Sequence, residues 1–381
     1  MLIIKNAKVF NGEKMLDSMN IYISGSKINK LEKGEISEAP SDAQVVDLNG
    51  KLVTPGFIDI HMHGAGGYDV MDATEESIEL IASILAMHGT TSFLPSTVTM
   101  PVESISKCIS VIGKCIKSKK SRNILGVHLE GPFINRRKKG AQNEEHILAP
   151  SISAYENIVG EGHDIIKRVT LAPELDKDNS LTKYLKDKGI CVSAGHTCAS
   201  IEQFTESVKS GVRLCTHLFN CMDTLHHRDP GVVGGGLTNE GVYVEFIPDL
   251  LHLNKDILKL IVLAKGEDKC IIVTDSLCAT CLKKGMYRLG DQHVIVTDNG
   301  ARLKNGALAG SIIMMAEAVR NMINEVGIDP VKVLKMATLN PAKVLGVENY
   351  LGRIAEGYDA DMNILDWDFN VERTILKGRC L

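Results

Sequence analysis

Eight times between residues 54 and 346 the chain passes from a short apolar run through a loop into a helical pattern. The runs are Phe57–His63, Thr90–Ser96, Ile124–Glu130, Arg168–Pro173, Ile190–His196, Arg213–Leu218, Val242–Ile247 and Lys269–Asp275. Helical spacing lies between them. In Glu75–Met87 the residues Ile78, Ile81, Ile84 and Leu85 share a face, and Ser200–Ser210 and Lys255–Ala264 are patterned alike. Strands that alternate with helices pair in parallel, since each helical crossover returns the chain to the same end of the sheet. A doubly wound open sheet accounts for the alternation. The count of eight favours a closed, TIM-like (β/α)8 barrel.

The flanks have a different texture. Residues 1–53 read as short strands, Leu2–Phe10, Asn20–Ile23, Lys27–Glu32 and Gln44–Asp47, punctuated by Asn11-Gly12, Gly25, Gly34 and Asn49-Gly50. From Gly352 onward, Asp361–Asp366 and Glu372–Lys377 are strand-like again. Neither end can bury a sheet alone. Residues 1–53 and 347–381 are therefore expected to form one small β-sandwich domain beside a barrel of residues 54–346. The length of 381 residues suits that division.

Composition removes several function classes. With 43 Lys and Arg against 47 Asp and Glu, the net charge of −4 gives no electrostatic case for nucleic acid or an anionic membrane. Met1–Phe10 alternates apolar and polar residues and lacks the layout of a signal peptide. No apolar run is long enough for a membrane-spanning helix. Of ten cysteines, Cys191, Cys215 and Cys270 fall in predicted central strands, where a free thiol packs as a small apolar group. Reduced thiols and a cytoplasmic location are expected. Cys278 and Cys281 form a lone C-x-x-C, read as a loop feature ahead of a zinc or redox site. The basic run Arg136–Lys139 could attract an anion, but a solvated loop is the favoured reading.

Barrel active sites sit at the C-terminal ends of the strands. Reading each strand to its end gives His61 and His63, His128 and Glu130, then His196, His217 and Asp275. One histidine at a strand end is ordinarily a hydrogen-bonded core residue. Five on one rim, joined by two acids, point to a metal. Imidazole and carboxylate together suit zinc, iron or manganese. Glu130, His196 and His217, one from each of three strands, are the expected ligands. They leave a position for a water whose pKa the cation lowers to about 7. Asp275 then accepts the water proton and delivers it to the leaving nitrogen. His61 and His63, one residue apart, share a face of a regular strand. They serve either a second metal, bridged by Glu130 or Asp275, or hydrogen-bond support for the first; both readings stand.

Pro55–Gly64 (PGFIDIHMHG), His128–Phe133 (HLEGPF), Ser193–Thr197 (SAGHT), Thr216–Met222 (THLFNCM), Val273–Ser276 (VTDS), Leu308–Ser311 (LAGS) and Ala337–Gly346 (ATLNPAKVLG) extend the pattern. On these segments the chain resembles the amidohydrolase superfamily nearly end to end. HLEGPF followed by Lys138–Asn143 (KKGAQN), together with THLFN, is similar to its sugar-phosphate branch. The resemblance implies hydrolysis of the N-acetyl group of N-acetylglucosamine 6-phosphate in amino-sugar catabolism, with one or two divalent metals, zinc or iron foremost. It implies that Glu130, His196 and His217 are ligands and Asp275 the proton shuttle. Asn220 and Cys221 would contact sugar and phosphate, with Ala141 and Gln142 in a further matching substrate segment. Arg228 would reach the phosphate of a neighbouring subunit in a homodimer, as suits a planar guanidinium. His252 would polarise the amide carbonyl, and Leu308, Ala309 and Gly310 would close over the sugar.

Two departures concern the substrate. Gln142 stands where the family often has histidine, so it can hydrogen-bond but not carry charge. Asp249-Leu250-Leu251-His252 lacks the family's glycine after the aspartate, which removes easy access to positive φ. The competing enzyme reading is a cyclic amidohydrolase of the dihydropyrimidinase or hydantoinase kind. Those enzymes bridge two metals with a carboxylated lysine at strand four, and Arg168–Glu174 contains none. A metal-free scaffold on the same fold should show broken ligand positions, and none is broken here.

Overall fold

The computed structural model describes residues 1–36, 41 and 43–381, so residues 37–40 and 42 of the N-terminal segment lie outside the described residues. The chain opens with β1 (Leu2–Phe10), β2 (Met15–Ser24), β3 (Lys27–Lys33), β4 (Gln44–Asp47) and β5 (Leu52–Pro55). It continues into β6 (Phe57–Met62), a small hairpin of β7 (Gly64–Ala65) and β8 (Tyr68–Asp69), and β9 (Thr90–Pro95). Next come β10 (Val127–Glu130), β11 (Ile166–Leu171), β12 (Cys191–Ala194), β13 (Val212–Cys215), β14 (Tyr243–Phe246) and β15 (Cys270–Ile272). These last six form one parallel sheet in chain order, and β6 pairs in parallel with β9.

Each of the eight predicted central strands has an observed counterpart, with helices between them. Side chains alternate across the sheet as a two-residue period requires. Phe57 packs outward among the helix residues Ile78, Ile81 and Leu85, whereas Ile58 and Ile60 turn inward to meet Leu94, Leu214 and Ile271. Hydrogen bonds also join the two parallel sheets at both edges. Phe93 N–H donates to Asn123 O at 2.9 Å and Thr97 N–H to His128 O at 3.0 Å. On the other side Asp275 N–H donates to His61 O at 2.9 Å and His63 N–H to Ser276 O at 2.7 Å.

The strands stop earlier than the sequence suggested. Cys191–Ala194 and Val212–Cys215 end before His196 and His217, and Cys270–Ile272 ends before Asp275. The cause is in the backbone: φ is +47° at His196, +29° at His217 and +49° at Asp275. Such angles are uncommon for residues with a Cβ and take the chain out of the strand. His63 likewise lies beyond β6, so the regular-strand argument for His61 and His63 sharing a face does not apply as stated.

Two features were not anticipated. One is a three-stranded antiparallel sheet of β16 (Gly285–Leu289), β17 (Gln292–Thr297) and β18 (Gly300–Leu303). The other is β5, which joins the two ends of the chain. The terminal strands β19 (Met362–Leu365), β20 (Val371–Leu376) and β21 (Arg379–Cys380) enter an eight-stranded sheet with β1–β5. Its seam is β5 against β19, antiparallel from Met362↔Pro55 to Leu365↔Leu52. Ile4, Val9, Ile21, Val53, Met362 and Ile364 form a separate apolar core beneath it. Among the described residues no helix is long and apolar enough to cross a membrane. All ten cysteines are free, and Cys191, Cys215 and Cys270 are buried in strands. Cys278 Sγ donates to Arg288 O at 2.8 Å while exposed Cys281 lies 4.0 Å from His88, so the two thiols face different surroundings.

Candidate active site

At the C-terminal ends of the parallel strands lies a cavity of about 210 Å³. Its lining includes His63, Glu130, His196, His217, His252 and Asp275. His61 sits just beneath, fully buried. Two groups of donor atoms face one another there: His61, His63 and Asp275 in one, Glu130, His196 and His217 in the other. Within each group the atoms lie within 4.8 Å of one another. Glu130 stands between them. Its Oε1 is 3.4 Å from His196 Nε2, 3.4 Å from His217 Nε2 and 3.2 Å from His61 Nε2, and its Oε2 is 3.3 Å from His63 Nε2. Asp275 Oδ1 lies 3.2 Å from His63 Nε2 and 3.6 Å from His61 Nε2.

The rings are aimed from behind. His63 Nδ1 meets Ser96 O at 3.2 Å, His196 Nδ1 meets Lys138 O at 2.8 Å, and His217 Nδ1 meets Asn220 O at 3.2 Å. A carbonyl can only accept, so each Nδ1 carries a hydrogen, and Nε2 is the nitrogen left facing Glu130 and Asp275. His61 Nδ1 is held at 2.8 Å by the buried carboxylate of Glu245. The run Arg136–Lys139 thus has a use its charge did not suggest. Its backbone carbonyl at Lys138 holds His196, and the Lys138 ammonium pairs with Asp223 at 2.7 Å.

Electrostatics follow from burial and proximity. Burial works against the charged form of each group, but the carboxylates and imidazoles compensate one another. Burial alone would raise the Asp275 carboxyl, yet His61 and His63 hold it down at about 2. Burial disfavours the imidazolium of His61 and His63, and Glu130 and Asp275 outweigh it, raising them to about 9 and about 10. Glu130 is held well below its usual range, against burial, by His61, His196 and His217.

Other expected site residues divide. Ala141, Gln142, Asn220, Cys221, Leu308 and Gly310 line the cavity with His252, beside Gly140, which was not among the expected residues. Ala309 does not; its side chain is fully buried and its N–H donates to Ala301 O at 3.0 Å. Gln142 also serves Glu130, donating from Nε2 to Oε2 at 2.9 Å. His252 Nδ1 is 2.7 Å from Asp249 Oδ2, so the loop without its glycine still places the pair, with Leu250 taking the positive φ of +63°. Arg228 is exposed beside His227 and away from the cavity lining of its own chain. His128 belongs to neither donor group. It lies within β10, two residues before Glu130, and is buried between Ser96 Oγ and Thr170 Oγ1, each at 2.8 Å.

Sequence reading missed Arg168 and Glu245. Both are fully buried, and the guanidinium contacts the two carboxylate oxygens at 2.6 and 2.8 Å. A charged residue inside each of the apolar strands β11 and β14 was the available signal.

Comparison with known proteins identifies the family. The amidohydrolase family matches residues 52–381. An N-acetylglucosamine-6-phosphate deacetylase of Lysinibacillus sphaericus is 37% identical over 99% of this chain and 97% of its own. The crystal structure of N-acetylglucosamine-6-phosphate deacetylase from Pasteurella multocida superposes with a TM-score of 0.94 at 32% identity, covering 100% of this chain and 99% of the other. A mutant N-acetyl-D-glucosamine-6-phosphate deacetylase from Mycobacterium smegmatis, solved in complex with N-acetyl-D-glucosamine-6-phosphate, gives 0.93 at 27% identity, covering 100% and 98%. By sequence and by fold alike, the chain belongs to the amidohydrolase family, alongside the N-acetylglucosamine-6-phosphate deacetylases that it matches end to end.

Proposed function

We propose that this protein hydrolyses the N-acetyl group of N-acetyl-D-glucosamine 6-phosphate, releasing D-glucosamine 6-phosphate and acetate in amino-sugar catabolism. The observation that carries this reading is the convergence of four imidazole Nε2 atoms with Glu130 and Asp275 at one cavity, in a chain matched throughout by such deacetylases. The residues fit a divalent metal. His61 Nε2 and Glu130 Oε1 are buried without a hydrogen-bond partner, and the nitrogen and oxygen donor set suits zinc or iron. Glu130, His196 and His217 would hold one ion, and His61, His63 and Asp275 a second, giving one or two per subunit. When bound, the metal polarises the amide carbonyl and makes water nucleophilic near neutral pH.

The chain's own groups do the rest. Asp275, ionised at the start, takes the proton from the attacking water and returns it to the amide nitrogen as the C–N bond breaks. His252, with Nδ1 held by Asp249, has Nε2 left to meet the acetyl oxygen. Ala141, Gln142, Asn220, Cys221, Leu308 and Gly310 surround the sugar, with Ala309 shaping the loop from below. Among the described residues that line the cavity none is Lys or Arg. A phosphate would then draw its cation from outside, which supports a homodimer in which Arg228 reaches across. For the architecture, the edge hydrogen bonds between the two parallel sheets support a closed (β/α)8 barrel of residues 54–346. The shared terminal sheet supports a small β-sandwich of residues 1–53 and 347–381.

The cyclic amidohydrolase reading is weaker. Lys167, on β11, is exposed, its ammonium on Asp164 O at 3.1 Å, and Glu130 is the carboxylate between the two groups. A substrate panel decides. Acetate release from N-acetylglucosamine 6-phosphate, with no opening of dihydropyrimidines or hydantoins, is the expected result. Ring opening without acetate release would overturn the proposal.

A further inference from the structure

Three of the four histidines rest their Nδ1 atoms on backbone carbonyls, but His61 rests on a carboxylate. Glu245 Oε1 accepts from His61 Nδ1 at 2.8 Å, and the same oxygen accepts from the backbone N–H of His217 at 3.1 Å. One atom therefore touches both donor groups, the ring of one and the main chain of the other. Arg168 clamps that carboxylate from the opposite side and is itself held across the barrel interior. Nη1 donates to Ile60 O at 3.1 Å, and Nη2 to Thr216 Oγ1 at 3.1 Å and Ser193 Oγ at 3.3 Å. Both side chains are fully buried. Burying an ion pair gives little net stability over apolar residues of the same volume, because desolvation cancels most of the attraction. Stability is thus a poor account of this pair, and its contacts offer a better one.

We infer that Arg168 and Glu245 are positioning residues that fix His61 as an Nε2 ligand and lock it in register with His217, so that one geometry serves both donor groups. The inference rests on the metal-hydrolase reading of the site. An ionised carboxylate can only accept, so it dictates which ring nitrogen of His61 carries hydrogen. It also makes His61 a more basic donor than its carbonyl-backed neighbours.

The test uses the full chain stripped of metal, titrated with Zn²⁺ against a chromophoric chelator, and melted with and without the ion. Glu245→Gln should weaken zinc binding about 10–100-fold, the usual effect of removing such a support. In Arg168→Met/Glu245→Gln, where no buried charge is left unpaired, the metal-free melting temperature should recover while zinc affinity stays low. Wild-type affinity in that double variant would mean a merely structural pair and overturns the inference. So does an equal loss from Glu245→Gln in wild-type and His61→Asn backgrounds, since the effect would not pass through His61. Nitrogen-15 spectra of the zinc-loaded wild type give an answer even if the variants fail to fold. Protonated Nδ1 on His61 supports the inference, and ligation through Nδ1 overturns it. A wild type that binds no divalent metal overturns this inference and the hydrolase reading together, whereas normal metal binding with unaffected variants overturns this inference alone.

Discussion

Four rings turn Nε2 toward Glu130 because four Nδ1 atoms are each engaged on the far side. At this scale the predictions concern protons. Asp275→Asn keeps the shape and removes the proposed base. Turnover is expected to fall by about 10²–10⁴-fold, the worth of a positioned acid–base group. Binding of a divalent metal at the proposed ligands Glu130, His196 and His217 should survive, as metal analysis beside initial rates can show. Metal binding should also release protons. His61 and His63 are raised to about 9 and about 10 in the metal-free chain, so their protons must leave before Nε2 can ligate. Apparent affinity then climbs with pH through that range, and calorimetry in buffers of different ionisation enthalpy counts the protons. In the metal-free protein these raised imidazoles contribute stability that is complete below about 6.5 and lost as pH rises through about 9 to 10. Asp275 and Glu245 act in the opposite sense. Both are depressed to about 2, so their contribution is present above about 4.5 and lost as pH falls toward 2. Melting the metal-free chain across pH should show a decline at both ends.

Elements aim these residues, and loops do most of the aiming. Gly310 has φ of +84°, and a Cβ there would stand 2.8 Å from the Asp275 carbonyl oxygen. Gly310→Ala should therefore cost about 1–3 kcal/mol of backbone strain and depress kcat, since the loop can relax only by moving Asp275. Denaturation and kinetics on the same sample test both parts. A contrasting case is Ser200, whose hydroxyl accepts from Gln203 N–H in a capping box at the start of helix Ile201–Ser210. Ser200→Ala should lower stability by about 1 kcal/mol and leave kcat unchanged. The two elements differ in what they touch. The helix cap was legible as Ser200 followed three residues later by Gln203. The antiparallel β16–β18 sheet, which brings Leu289 to the cavity, was not read, although the alternation in Gln292–Thr297 and the Asn299-Gly300 turn were there to be seen.

For the whole molecule, charge at the cavity is the issue: among its described lining residues no Lys or Arg meets a phosphate dianion. If Arg228 of a second copy supplies the cation, Arg228→Met should raise KM for the phosphorylated substrate about 10–100-fold, the range of charge-assisted hydrogen bonds. It should leave kcat for unphosphorylated N-acetylglucosamine nearly as it was. Mixing Arg228→Met with Asp275→Asn should then restore activity in hybrid dimers, one of whose sites combines an intact Asp275 with the partner's arginine. No recovery on mixing would place the phosphate contact within one chain. Sedimentation of the wild type checks the dimer directly.

Local pattern was enough for the eight central strands, for the three helices read at Glu75–Met87, Ser200–Ser210 and Lys255–Ala264, and for placing Glu130, His196, His217 and Asp275 near one another beyond the strands. The reason is that strand and helix periodicity, and the rule placing barrel chemistry at one end, act over a few residues at a time. Pairing across the fold was decided only in three dimensions. His128, two residues before Glu130 on β10, was read at the same rim, yet it is buried against Ser96 and Thr170. Arg168 and Glu245, on strands separated in sequence, meet behind His61. Neither outcome is written in spacing, because each depends on which face of one strand meets which neighbour on another. The chain by itself pointed to the imidazoles and carboxylates; the tertiary structure chose which nitrogen each of the four rings turns to them, by placing a carbonyl or a carboxylate behind the other.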